Sequence, residues 1–319
     1  MRIRGQSPVL WRAPGQTQVG AEPGHAVVLE GLSPAEQRLL DHLPAVISAE
    51  DVYRTARWTK VPMSRAREVL GLLREAGALA EDDAAPSSAD EIYWDRLTPR
   101  ARERTTLLRS GVVAVLGAGW LAQAIIGLLA EAGVGTILPD DEDLELWTSR
   151  VAPKVSTRAP LGCRPDLVVS VEGHVVDPVR ARELDRADLV HLPVLARDVS
   201  VRVGPLLVPG RGACSTCLGL WDRDADPCWP AVATQLRLLG APVLERLLIH
   251  QAAALAARGA TDVVVGAEEA WLGRSIEVSA ADPLGVERTW PPHPECLCGQ
   301  VPSSCSPSPT GSVTREAMV

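Results

Sequence analysis

Four of the seven cysteines fall in two short stretches: ACSTCLG holds Cys214 and Cys217, and HPECLCG holds Cys296 and Cys298. Four thiolates fill the tetrahedral shell of a closed, structural zinc site. The CxxC turn, with Gly219 just beyond it, sets two sulfurs on one side of the backbone. The CxC pair joins from about eighty residues further on. A metal held by all four would clamp a C-terminal strand to an upstream hairpin, and closing so long a loop stabilises the folded chain. A thioredoxin-like redox pair is the competing reading. A redox CxxC opens a helix in a different strand order and leaves the CxC without a role. His293 is a lesser rival for a ligand position, and Cys163, Cys228 and Cys305 stand alone.

GAGWLA, residues 117–122, has the form GxGxxA. Gly117 permits a tight strand-to-helix turn, Gly119 lets a phosphate approach the backbone, and Ala122 lets helix and strand pack closely. Asp140 or Asp141, about twenty residues on, stands where a ribose hydroxyl would be met. The same loop serves equally well as a packing turn without a ligand, and the bulky Trp120 fills space that a nucleotide needs. His174, His191 and His250 are isolated, so no catalytic residue is assigned. Trp221, Trp229, Trp271 and Trp290 read as packing residues.

These motifs need elements to hold them. Val112–Leu116 is a continuous apolar run, as expected of a strand buried on both faces of a parallel sheet. A helix to Ala132 and a second strand ending near Leu138 complete a βαβ start. Residues 166–173 and 188–196 read as further strands. Residues 199–217 read as an antiparallel hairpin turning at Pro209-Gly210, and residues 231–258 as one long helix kinked at 240–242. Upstream, strand-like pieces at VLWRAP, TQVG and HAVVLEGL precede three helices. Ser33 and Ser48 are N-caps, with Glu36 and Asp51 completing capping boxes. The third helix turns Val69, Leu70, Leu72 and Leu73 inward and ends at Gly77. Residues 82–90 read as a loop or linker, followed by a basic connecting helix from LTPRARERTTLLRS. The expected organisation is a winged-helix α+β domain over 1–95, a Rossmann-type α/β domain with the four-cysteine site over 96–299, and a disordered Ser/Pro-rich tail over 300–319.

Composition narrows the function. A formal charge of −8 argues against nucleic acid as a general partner. Lysine occurs only at Lys60 and Lys154, against thirty arginines, so a single arginine carries little information. No long apolar run predicts a membrane span, and no secretory signal opens the chain. An odd cysteine count without an export signal points to a reduced, cytoplasmic protein.

Together, GAGWLA after its strand, GVGTILPDDEDLE, LLVPGRGACSTCLGL and HPECLCG resemble the superfamily of ThiF, MoeB and the ubiquitin-activating enzymes. The opening LWRAPGQTQVG and the pattern GACSTCLGLWDRDADPCWP further resemble an actinobacterial ThiF-like subgroup that binds leader peptides as partners of cyclodehydratases. The resemblance implies a ThiF-like Rossmann fold, a homodimer and, in active members, ATP- and Mg²⁺-dependent adenylation of a carboxylate. It places ribose contact on Asp140, a second acid on Glu142, and the family lysine on Lys154. The family asparagine falls on Thr148 and its arginine on Val151, with Arg150 one place off. An Asp-Asn pair that anchors metal in the family falls on Gly173 and His174, with Glu172 and Asp177 nearby.

The leading expectation is therefore a scaffold that binds a peptide or small protein, possessing a structural Zn²⁺ and eroded adenylation chemistry. A peptide would add as a strand to the small sheet holding Val9–Trp11 and Val27–Leu29, with Arg65, Arg67 and Arg74 meeting its acidic residues. The alternatives are an ATP/Mg²⁺-dependent adenylyltransferase, and a DNA-binding regulator using the basic stretch from Arg54 to Arg67.

Overall fold

The computed structural model describes residues 1–81, 84 and 86–299. The expected tail, with Cys305, lies outside the described residues. The chain forms two compact units, Met1–Thr106 and a second beginning at Leu107.

In the first unit, β1 (Arg2–Ile3), β2 (Val9–Ala13), β3 (Gln16–Val19) and β4 (Val27–Leu29) precede α1 (Pro34–Asp41), α2 (Ala49–Thr59) and α3 (Met63–Glu75). Then come β5 (Leu79–Ala80), α4 (Ala89–Leu97) and α5 (Ala101–Ser110), the last running into the second unit. β2, β3 and β4 form an antiparallel sheet in that order, and β1 pairs with β5. Both capping boxes form: the Glu36 amide donates to Ser33 Oγ at 3.3 Å, and the Asp51 amide to Ser48 Oγ at 3.1 Å. These bonds satisfy helix-end donors that would otherwise be orphaned. Leu39, Leu40, Ile47, Val69 and Leu73 make the core.

One sequence expectation fails here, and one helix was not expected. Leu72 is exposed rather than inward; it lies about 100° round the helix from the stripe of Ala66, Val69, Leu70 and Leu73. Residues 89–97 form a helix, of which only 89 and 90 fall in the loop expected over 82–90. Ser88 caps α4 by accepting from the Glu91 amide at 3.1 Å, and the buried Asp95 takes the Arg2 guanidinium and the Gly5 amide. That buried pairing draws a short polar helix into the unit which periodicity alone does not announce.

The second unit continues with β6 (Val112–Leu116), α6 (Gly119–Glu131), β7 (Thr136–Pro139), α7 (Glu142–Val151), β8 (Leu167–Gly173), α8 (Pro178–Arg186), β9 (His191–Ala196) and β10 (Ser200–Val203). It closes with α9 (Ser215–Ala225), α10 (Trp229–Leu236), α11 (Arg246–Val264), β11 (Arg274–Ser279) and β12 (Val286–Thr289). The seven strands form one sheet in the order β12-β11-β10-β9-β8-β6-β7. The β7-β6-β8-β9 half is parallel and the β9-β10-β11-β12 half antiparallel. Val113, Val115, Val169, Leu192, Val194, Val201 and Val203 gather with α6 and α11 in the main core. Intervening residues, including Ser170, Leu195 and Arg202, therefore point to the other face. Small residues at Ala252, Ala253, Ala256 and Ala260 let α11 lie close. The approach is close at Gly259, where a Cβ would stand 3.2 Å from Leu192 and from the Trp271 ring.

The expected long helix is two helices, α10 and α11, parted by residues 237–245. Pro242 disfavours helical geometry in the residue before it and lacks the amide a helix needs, so the break is complete rather than a kink. The hairpin also differs. Pro209-Gly210 does make a tight turn, with the Arg211 amide donating to Val208 O at 2.9 Å. The strands on either side of β10, however, are β9 and β11.

Candidate metal centre and nucleotide loop

The crevice of an open α/β sheet lies where neighbouring strands send their connections to opposite sides, here at the carboxyl ends of β6 and β8. Gly117 ends β6 with φ +105°; a Cβ would come within 2.3 Å of Val171 O, so only glycine fits beside β8. The cavity over it, about 310 Å³, is lined by Gly117, Glu172, Gly173, Asp177, Arg180 and Arg237, among others.

The chain's own groups already engage this loop. Asp140 Oδ2 accepts the Gly117 amide at 2.8 Å, while Asp141 caps α7 through the Leu144 amide at 2.7 Å. Gly119 opens α6, and Trp120 in its first turn carries the Arg246 guanidinium 3.7 Å from its ring centroid. Thr148 is buried with its hydroxyl donating to Leu144 O, whereas Arg150, Val151 and Lys154 are exposed. At the end of β8, a Cβ on Gly173 would lie 3.2 Å from Ala241 Cα. His174, at φ +63°, is buried with Nε2 3.2 Å from Gly240 O. Residues 240–242 thus lie against the place where the family resemblance puts its acid. Glu172 is buried, takes the Asp177 amide on one oxygen, and has no hydrogen-bond partner on the other. Burial pushes its carboxyl above the usual range against the lowering pull of that amide.

The four paired cysteines converge. Their sulfurs all lie within 4.8 Å of one another. Cys214 and Cys217 are 3.8 Å apart, Cys214 and Cys296 3.6 Å, and Cys217 and Cys298 3.3 Å. A tetrahedron of zinc–sulfur bonds has edges of about 3.8 Å, whereas a disulfide needs about 2.05 Å. Four sulfurs at non-bonded spacing, half-buried to buried and from two distant segments, fit a divalent metal and no pairwise oxidation. Burial pushes the Cys214 thiol up. At Cys217 burial acts the same way, but hydrogen bonds, led by that of the His293 amide, outweigh it and bring the thiol to about 7. That amide donates to Cys217 Sγ at 3.3 Å.

The supporting shell is complete. His293 is not placed as a ligand: Nδ1 accepts the Glu295 amide at 3.1 Å and Nε2 meets Asp224 Oδ2 at 2.9 Å. Trp221 packs edge-on against its ring at 4.6 Å and donates to Pro291 O at 2.9 Å, and Arg223 pairs with Glu295 at 2.9 Å. One helix, α9, therefore grips the C-terminal segment along its length. Cys214 is the N-cap of α9, so the CxxC does open a helix. The sequence argument against a redox pair fails on that point, and the meeting of all four sulfurs takes its place. Cys163 and Cys228 are exposed, apart from this cluster.

The expected peptide contacts divide. Arg65 is held by Glu36 at 2.5 Å and Glu68 at 3.0 Å, and Arg74 faces Glu81 at 3.4 Å. Arg67 is exposed on α3. Among the described residues no helix is long and apolar enough to cross a membrane.

No protein-family model matches the chain, and no curated protein matches its sequence. Among solved structures, the fold is similar to that of E. coli MccB. MccB with SeMet MccA superposes with a TM-score of 0.62 at 16% identity, covering 94% of this chain and 100% of that one. MccB with ATP gives 0.60 at 14%, covering 92% and 98%. A heterocyclase in complex with substrate and cofactor gives 0.63 at 19%, covering 91% of this chain and 38% of the heterocyclase. At these identities the likeness is one of fold, and it agrees with the Rossmann-type α/β architecture expected from the motifs.

Proposed function

We propose that this chain is a ThiF-type scaffold of the leader-peptide-binding kind, in which a winged-helix first unit captures an extended peptide as an added strand. The observation that carries this reading is the free edge of β4. Among the described residues β4 pairs only with β3, and α3 packs beside it. Such an edge offers main-chain hydrogen bonds to any extended segment, and the neighbouring helix supplies side-chain selection. Arg67, rather than the paired Arg65 and Arg74, is the cation available to an acidic peptide. The fold neighbours crystallised with MccA or with a substrate support the same direction. The four cysteines hold a structural Zn²⁺ that fixes the C-terminal segment. The chain works in the cytoplasm as a homodimer, alone or beside a modifying enzyme.

Hydrogen exchange with a panel of acidic, extended peptides tests the capture. Bound peptide is expected to protect Val27–Leu29, and Arg67→Glu to weaken binding about tenfold. Protection confined to residues beyond Leu107 would sink the proposal.

A second reading, ATP-dependent adenylation, draws on the charged lining of the glycine-loop cavity, where Arg180 and Arg237 stand with Glu172 and Asp177 and Glu172 keeps one unpartnered oxygen. ATP–pyrophosphate exchange separates the two: the scaffold reading expects none.

A further inference from the structure

On the sheet face opposite α6 and α11, a second and larger cavity of about 470 Å³ lies between β9–β10 and helices α8, α9 and α10. Its apolar walls include Val175, Leu195, Leu218 and Trp229. Four arginines also line it, Arg182, Arg197, Arg202 and Arg237, against one carboxylate, Asp222.

Arg202 is the unusual member. It stands on a central strand, is 2% exposed, and its Nε and Nη1 are buried without a hydrogen-bond partner. The nearby acids are committed elsewhere. Glu277, directly across the strand pair, accepts Ser200 Oγ at 2.6 Å and meets Arg197 at 3.4 Å. Asp222 lies 4.0 Å from Arg202 but 3.5 Å from Arg288, so it is shared. Trp290 offers its ring face to Arg202 at 4.8 Å, which supplies no hydrogen bond. Burial lowers this guanidinium to about 10, which leaves it charged at neutral pH. A charge taken out of water with its donors unmade is costly unless something completes it.

We propose that this cavity binds a small organic anion, a carboxylate or phosphate on a partly apolar body, with Arg202 as its buried charge partner and Arg237 at its mouth. A guanidinium presents planar donors that match either oxyanion, and the apolar walls take the rest of the molecule. The site is separate from peptide capture on β4 and needs no nucleotide.

Calorimetric titration with phenylacetate and with phenyl phosphate, against sodium chloride at matched ionic strength, tests it. One or both probes should bind saturably; whichever binds tighter tells whether a carboxylate or a phosphate is the native group. Arg202→Gln should weaken that probe at least about tenfold. Where Arg202→Gln fails to fold, Arg182→Glu decides, since Arg182 is exposed and lines this cavity but not the one over the glycine loop. No saturable binding of either probe below about 10 mM, or affinity unchanged in the folded variants, overturns the proposal. The probes contain neither peptide nor nucleotide, so that result would leave the peptide reading untouched.

Discussion

The cysteine cluster and the glycine loop lie in the same α/β unit, and each begins from a short motif. Around the cysteines every neighbouring group serves the motif: the His293 amide points at sulfur, Asp224 fixes the His293 ring, and Trp221 and Arg223 hold the strap. Around the glycine loop the neighbours compete with it. Asp140 occupies the Gly117 amide, Arg246 and Trp120 stack together at the first turn of α6, and residues 240–242 lie on Gly173. A motif states which atoms a site starts from; whether the site works depends on what the surrounding chain does with the space.

The largest test of this contrast is Cys217→Ser. It should abolish stoichiometric metal by elemental analysis and destabilise the second unit by on the order of 4 kcal/mol, the loop-closure scale for a cross-link of this span. A variant as stable and as metal-rich as the parent would erase the distinction between the two sites. Next comes Gly173→Asp, which restores the acid that the resemblance expects. Because the new side chain meets Ala241, it should cost about 2 kcal/mol in urea unfolding without eliciting pyrophosphate exchange. Recovered exchange would show that the loop is merely missing one group.

The smallest effect is expected at Glu172→Gln. The native carboxyl has a raised folded-state pKa, chiefly from burial. Its contribution is therefore full below the unfolded glutamate range and is lost as pH rises through the raised value. The amide should raise the thermal midpoint slightly, with a gain that grows from acid to neutral pH. A gain that is flat with pH would mean that Glu172 is not held by burial.

Much of the parallel half could be read directly, because Val112–Leu116 with Gly117 and Gly119 carries one pattern at every level, from propensity to packing. Ser33 and Ser48 marked their helices for the same reason. Elsewhere the sequence was silent where contacts distant along the chain decide the outcome. Asp95 draws α4 in through Arg2, a residue ninety-three positions earlier in the chain. Pro242 splits the expected long helix where residues 240–242 settle on β8. Arg202, between Val201 and Val203, alternates like a residue facing water, yet Asp222 of α9 and the Trp290 ring lie over it. No sequence signal distinguished it, because alternation records which face a residue takes and not what lies above that face.

The sulfur set also has a consequence for how the protein is made. Cys214 emerges from the ribosome some eighty residues before Cys298, and domains begin to fold from the amino end as they appear. A product stopped after α11 would own most of its sheet and two orphaned thiols. A metal held by all four sulfurs would close that brace only on a chain synthesised through residue 298, and would so report that the unit had been completed.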